Sequence, residues 1–128
     1  MATFFFDNDI SFRIAHALSN LVEGHDIVAL RDRFPTNTPD TVWIPEVARN
    51  DWIVISRDHN QRRRESEHKA LRENHARVLY IRYAGNVDTL FADAARLVKN
   101  WPKIEAWGLG AAPGTLARLN TADQIENL

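Results

Sequence analysis

A chain of 128 residues, 45% hydrophobic and 26% charged, has the balance of one folded domain with a single substantial core. Its net charge of −1 excludes a uniformly basic nucleic-acid coat, and the lack of cysteine excludes disulfides, thiolate metal sites and a cysteine nucleophile together. Any metal must use oxygen or imidazole ligands, and with no signal-peptide pattern and no apolar run near the roughly 20 residues that span a bilayer, a cytoplasmic protein without membrane contact is expected.

Residues 3 to 6, TFFF, predict a buried strand, and Ile10, Ile14, Ala17, Leu18 and Leu21 then recur at helical spacing until Gly24. DIVAL (26 to 30) predicts a second strand, and Pro39 opens a helix with Val42, Trp43, Val47 and Ala48 on one side, its first turn disturbed by Pro45. WIVIS (52 to 56) is β-branched and apolar on both faces, as a central parallel strand should be. A charged helix over about 64 to 74 leads to RVLYIRY (77 to 83), a fourth strand. Residues 87 to 99 predict an amphipathic helix, and IEAW (104 to 107) a short fifth strand. The tail after Gly108 contains GLGAAPGT, whose GxG neither follows a strong strand nor opens a helix, so a loop or capping segment is expected there. The alternation of strand and helix implies right-handed crossovers and a mostly parallel sheet covered on both faces.

Asp7 falls at the carboxyl end of the first strand, Asp58 just past the end of the third and Asp40 at the start of the second helix, all at the sheet edge where open α/β sheets bind ligands. Gathered there, three carboxylates would repel one another unless a cation neutralised them. Hard oxygen ligands select Mg²⁺ or Mn²⁺, and the chemistry suggested is phosphodiester hydrolysis. Each acid has an ordinary alternative: Asp7 and Asp9 can make an Asx-turn or cap the first helix, Asp40 suits a helix first turn, and Asp58 a strand-end loop. Behind Asp58, the run NQRRRESEHK offers Arg62, Arg63, Arg64 and Lys69 as candidates for an RNA backbone and Glu67 as a further acid, against the alternative of a solvated, ion-paired helix. The histidines form no convincing metal set, and the tryptophans suit core packing better than base stacking.

Taken together, FFFDND, the segment GHDIVALRDRFPTNTPDTVWIPEVARNDWIVISRD and the basic RRRESEHKAL resemble PIN-like domains related to the VapC-type toxins of toxin–antitoxin systems. TPDTVWIPE followed by WIVISRD is the most specific piece. The resemblance implies a three-layer α/β/α domain over residues 1–110, with a mostly parallel sheet in the order 3-2-1-4-5, and residues 111–128 as an extension packed on it. It implies a Mg²⁺- or Mn²⁺-dependent endoribonuclease held by a cognate antitoxin, with a homodimer as a further candidate assembly. Residue by residue, Asp7, Asp40 and Asp58 match the family's metal-binding acids; Glu46 is an alternative to Asp40, and Asp9, where such sequences often carry an amide, is an assistant rather than a ligand. A receiver-like phosphoacceptor domain with its acceptor at Asp58, or an inactive PIN-like binding module, are the competing expectations.

Overall fold

The computed structural model describes residues 1–58, 69–83 and 89–128. In chain order the elements are β1 (Thr3–Phe6), α1 (Phe12–Leu21), β2 (Asp26–Ala29), α2 (Leu30–Arg33), α3 (Asp40–Arg49), β3 (Ile53–Arg57), β4 (Arg77–Ile81), α4 (Leu90–Gly110), β5 (Leu116–Leu119) and β6 (Ile125–Asn127), with residues 69–73 also helical. They build a mostly parallel sheet between two helical layers, the class expected from the alternating pattern.

The three phenylalanines set the layers. Successive side chains of a strand point to opposite faces, so Phe4 and Phe6 enter a core with α1 (Ile14, Ala15, Leu18) and α4 (Leu97, Trp101, Ile104). Phe5 enters the opposite core with α3 (Trp43, Ile44, Val47) and Leu71 of the helical residues 69–73. All three are fully buried, and burial of a Phe side chain contributes about 1.5–3 kcal/mol each. Trp43 and Trp52 are core aromatics, their rings 5.3 and 5.9 Å from Phe5.

The strand order is β2-β1-β3-β4-β5-β6, parallel throughout except for β6, which runs antiparallel to β5. This corrects the order 3-2-1-4-5 implied by resemblance. β3, with residues 53–56 buried, lies directly against β1 and in register with it, Phe6 opposite Ile55. The chain leaves β1 to one side through α1 and returns to the other through α3, so β1 and β3 flank the point where the winding reverses. Ligand crevices of open α/β sheets lie at that point.

Residues 104–107 are not a strand. α4 continues through Pro102 to Gly110, because its apolar residues Leu97, Trp101 and Ile104 keep helical spacing and bury a continuous stripe. That packing offsets the roughly 3 kcal/mol an interior proline costs. Gly108 extends the stripe: a Cβ there would meet Phe4 Cε1 at 2.8 Å, so its lack of a side chain lets α4 lie close on β1. The tail expected to be a loop supplies the two remaining strands. Among the described residues, no helix is long and apolar enough to cross a membrane.

Candidate metal and nuclease site

β1 delivers Asp7 to the carboxyl edge of the sheet. Its backbone N–H still donates to Ile55 O of β3 at 3.0 Å, and its carbonyl accepts from Ile10 N–H at 3.1 Å, so residues 7–10 turn tightly out of the strand. Helix α1 then starts under a different cap. Ser11 accepts from Arg13 N–H at 3.2 Å, so Asp7 and Asp9 do not cap α1, while the turn-shaping half of their ordinary alternative survives at Asp7, whose Oδ1 accepts from Asn8 N–H.

The two carboxylates meet at Ser56 instead. Its hydroxyl, 1% exposed, lies 3.1 Å from Asp7 Oδ2 and 3.0 Å from Asp9 Oδ2. A hydroxyl carries a single proton and can donate to only one of these oxygens at a time. With both carboxylates ionised, the other contact sets lone pair against anion. A proton on the pair, or a cation, resolves the conflict. Asp7 is accordingly raised from 3.8 to about 7, by burial first and the charge of Asp9 second. The Asn8 N–H at 2.7 Å and the Ser56 hydroxyl pull the other way, and the more remote Asp40 adds to the rise.

The remaining acids go elsewhere. Asp40 opens α3 and accepts from the indole N–H of buried Trp43 at 2.9 Å, so it stands at the margin of the pair with a packing task of its own. Asp58 extends β3, donating its N–H to Ile81 O at 2.9 Å. Its side chain, 2% exposed, lies 3.5 Å from both Arg82 and Arg118. Arg118 in turn holds Glu126 at 2.9 Å. Among the described residues no three acidic or histidine side chains stand close enough to share a metal ion, so the expected convergence of Asp7, Asp40 and Asp58 gives way to an Asp7–Asp9 pair. Asp9, expected to be only an assistant, shares the Ser56 hydroxyl with Asp7. Glu46 is paired with Arg49 on the outer side of α3, and Lys69 is exposed. Glu67, Arg62, Arg63 and Arg64 lie outside the described residues.

Sequence reading passed over Ser56, Arg82 and Arg118. Ser56 had a usable signal, being the one hydroxyl in an otherwise apolar strand; the arginines had none, because the partner of Asp58 depends on which strands are adjacent.

A family model described as "PIN like domain" matches residues 2–83, more than half of the chain. The chain belongs to the PIN-like domain family. No curated protein and no solved structure gives a significant match. The matched stretch carries Asp7, Asp9, Asp40, Ser56 and Asp58, while β5, which supplies Arg118, lies beyond it. PIN-like domains are generally nucleases, which is the coarse reading this site inherits.

Proposed function

We propose that this PIN-like domain is a metal-dependent endoribonuclease, the cytoplasmic toxin of a type II toxin–antitoxin pair whose cognate antitoxin silences it. The observation that carries the reading is the half-buried Asp7–Asp9 pair sharing buried Ser56 where the sheet reverses its winding. The donor set suits a hard cation: two carboxylates and a hydroxyl, with the repulsion between the acids relieved by positive charge. Asp7 and Asp9 would hold Mg²⁺ or Mn²⁺, with Asp40 close enough to add charge. When bound, the ion supplies Lewis-acid polarisation of a phosphodiester and an activated water.

The chain's own residues do the rest. Phe4, Phe5 and Phe6 anchor the strand that carries Asp7, so the carboxylate is held by the core and not by a loop. Ser56 and the Asn8 N–H fix the orientation of its two oxygens.

Purified protein should cleave single-stranded RNA in Mn²⁺ or Mg²⁺, stop in chelator, and lose activity in Asp7→Asn and in Asp9→Asn. Cleavage unaffected by chelator would sink the mechanism. The strand order gives one competing reading some support, since receiver-like domains share the 2-1-3-4-5 winding. Against it, the carboxylate of Asp58 is enclosed by two guanidiniums where a phosphoacceptor must be reachable; labelling of Asp58 by acetyl phosphate would decide for that reading. An inactive module would show neither metal binding nor cleavage.

A further inference from the structure

Beside Asp7 the surface sinks into a hollow of about 330 Å³, lined by Asp7, Asn8, Ser11, Phe12, Arg31 and Thr36 among others. Its walls come from two parts of the chain. On one side is the turn after β1 and the first residue of α1; on the other, Arg31 of α2 and the loop that follows. Asn8 Nδ2 donates to Thr36 O at 2.9 Å and ties the two walls together.

Local sequence explains how Arg31 comes to stand there. α2 follows β2 with no loop, and Asp32 folds back to accept the Ala29 N–H at 3.0 Å, so this short turn of helix is pinned to the strand end. The Arg31 guanidinium then lies over the Phe12 ring, 4.0 Å from its centroid. A cation on an aromatic face at an exposed position gains about 0.5–1 kcal/mol, enough to favour one placement of an otherwise mobile side chain.

Arg31 differs from the other arginines near the sheet edge. Arg82 and Arg118 are engaged with Asp58, and Arg96 with Asp123. No described carboxylate pairs with Arg31; its neighbour Asp32 is taken by His16. An exposed guanidinium over an aromatic ring, with no described carboxylate paired to it, opens onto the same hollow as the candidate catalytic acid. Its planar fork matches a phosphate. The hollow sits at the small end of the ligand-pocket range of about 300–1,000 Å³, room for one nucleotide and too little for a duplex. A second hollow, about 370 Å³ between α1 and α4, is lined by Leu18, Leu21, Val22, Val98, Trp101 and Pro102 with two glutamates and offers no such cation.

We infer that this hollow receives the nucleotide adjoining the phosphodiester that is cut, with Arg31 on its phosphate and Phe12 as the platform that positions Arg31. The assignment rests on the endoribonuclease reading of the Asp7 site and adds to it a direction: the RNA strand leaves that site toward α2. Phe12 is a positioning residue, acting through Arg31.

The test uses fluorescence anisotropy of a single-stranded oligoribonucleotide of about ten nucleotides on the full chain carrying Asp7→Asn, across a salt series. Adding Arg31→Ala should weaken binding about tenfold and reduce the slope of log affinity against log salt by about 0.7, the loss of one single-strand phosphate contact. Arg31→Lys should keep the slope and lose part of the affinity, because the charge stays and the fork goes. Phe12→Leu, which preserves packing against the core, should weaken binding about threefold with the slope kept. In the otherwise native chain, Arg31→Ala should raise KM with kcat little changed. Native cleavage with an unaltered slope and affinity in Arg31→Ala overturns the subsite and leaves the nuclease reading intact. Absence of both RNA binding and cleavage by the parent protein overturns both. Displacement of the RNA by low millimolar inorganic phosphate assigns the hollow to a small anion and overturns the nucleotide assignment.

Discussion

Two largely shielded acids stand at the carboxyl edges of adjacent strands of the same sheet, in opposite electrostatic conditions. Asp58, past the end of β3, is met by Arg82 from the end of β4 and Arg118 from β5, so its charge is compensated by the fold itself. Asp7, past the end of β1, is met by Asp9 and a hydroxyl, so its charge is opposed by the fold. Removing one partner of a buried pair costs about 3–5 kcal/mol because the other charge is left uncompensated. Holding two carboxylates against one hydroxyl raises the cost of ionising Asp7, a perturbation of the kind that clusters at sites built for a ligand. The proposed function predicts structural work at Asp58 and chemical work at Asp7.

The largest expected effect is on catalysis. Asp7→Asn should reduce RNA cleavage on the order of 10²- to 10³-fold, the size of losing one preorganised electrostatic group, measured as kcat/KM in Mn²⁺. Asp58→Asn should act chiefly on stability. It weakens the contacts to half-exposed Arg82 and to Arg118, which keeps Glu126, and should destabilise the fold by about 1 kcal/mol in denaturant titrations. If Asp58→Asn instead left stability unchanged and abolished metal binding, the contrast would collapse and Asp58 would rejoin the metal ligands.

Asp7→Asn should move stability the other way. The folded pKa of about 7 lies above the unfolded value of 3.8, so between those values the native state binds more protons than the unfolded one. Stability therefore falls as pH rises through that window. At pH 8 the full cost is present, and Asp7→Asn should be more stable than the native sequence by up to about 4 kcal/mol, the difference vanishing below about pH 4. Mn²⁺ should raise the melting temperature of the native chain at pH 8 and leave that of Asp7→Asn unmoved. Equal stability of the two at both pH values would show that Asp7 is not strained by its neighbours.

The smallest effect sharpens the role of the hydroxyl. Ser56 lowers the proton affinity of Asp7 through its hydrogen bond. Ser56→Ala should shift the acid limb of the pH–rate profile to higher pH and cut kcat about tenfold, near the cost of one hydrogen bond to a charged group. A limb that stays in place would assign Ser56 to packing alone.

Much of the fold was legible in local pattern. TFFF, DIVAL, WIVIS and RVLYIRY each combine length, β-branching or aromatic content and flanking turn residues in a way that only a buried strand satisfies. The α4 boundary was not legible: Pro102 and the short apolar IEAW argue locally for a helix stop and a strand, and only the stripe buried against Phe4 and Phe6 overrules them. β5 and β6 were hidden because LARL and IEN are too short to stand out without the strand they pair with.

For the site, the sequence by itself determined that Asp7 ends a rigid, fully buried strand, because three consecutive phenylalanines can be buried together only when alternate rings enter opposite cores. It also determined that Asp40 and Asp58 reach the same edge of the sheet. Which acids meet was decided by tertiary structure. The order β2-β1-β3-β4-β5 sets Asp7 beside Ser56 and sets Asp58 beside the arginines of the next two strands. Local sequence cannot encode that choice, because strand adjacency follows from how α1 and α3 cross the two faces, and the charge facing each carboxylate follows from strand adjacency.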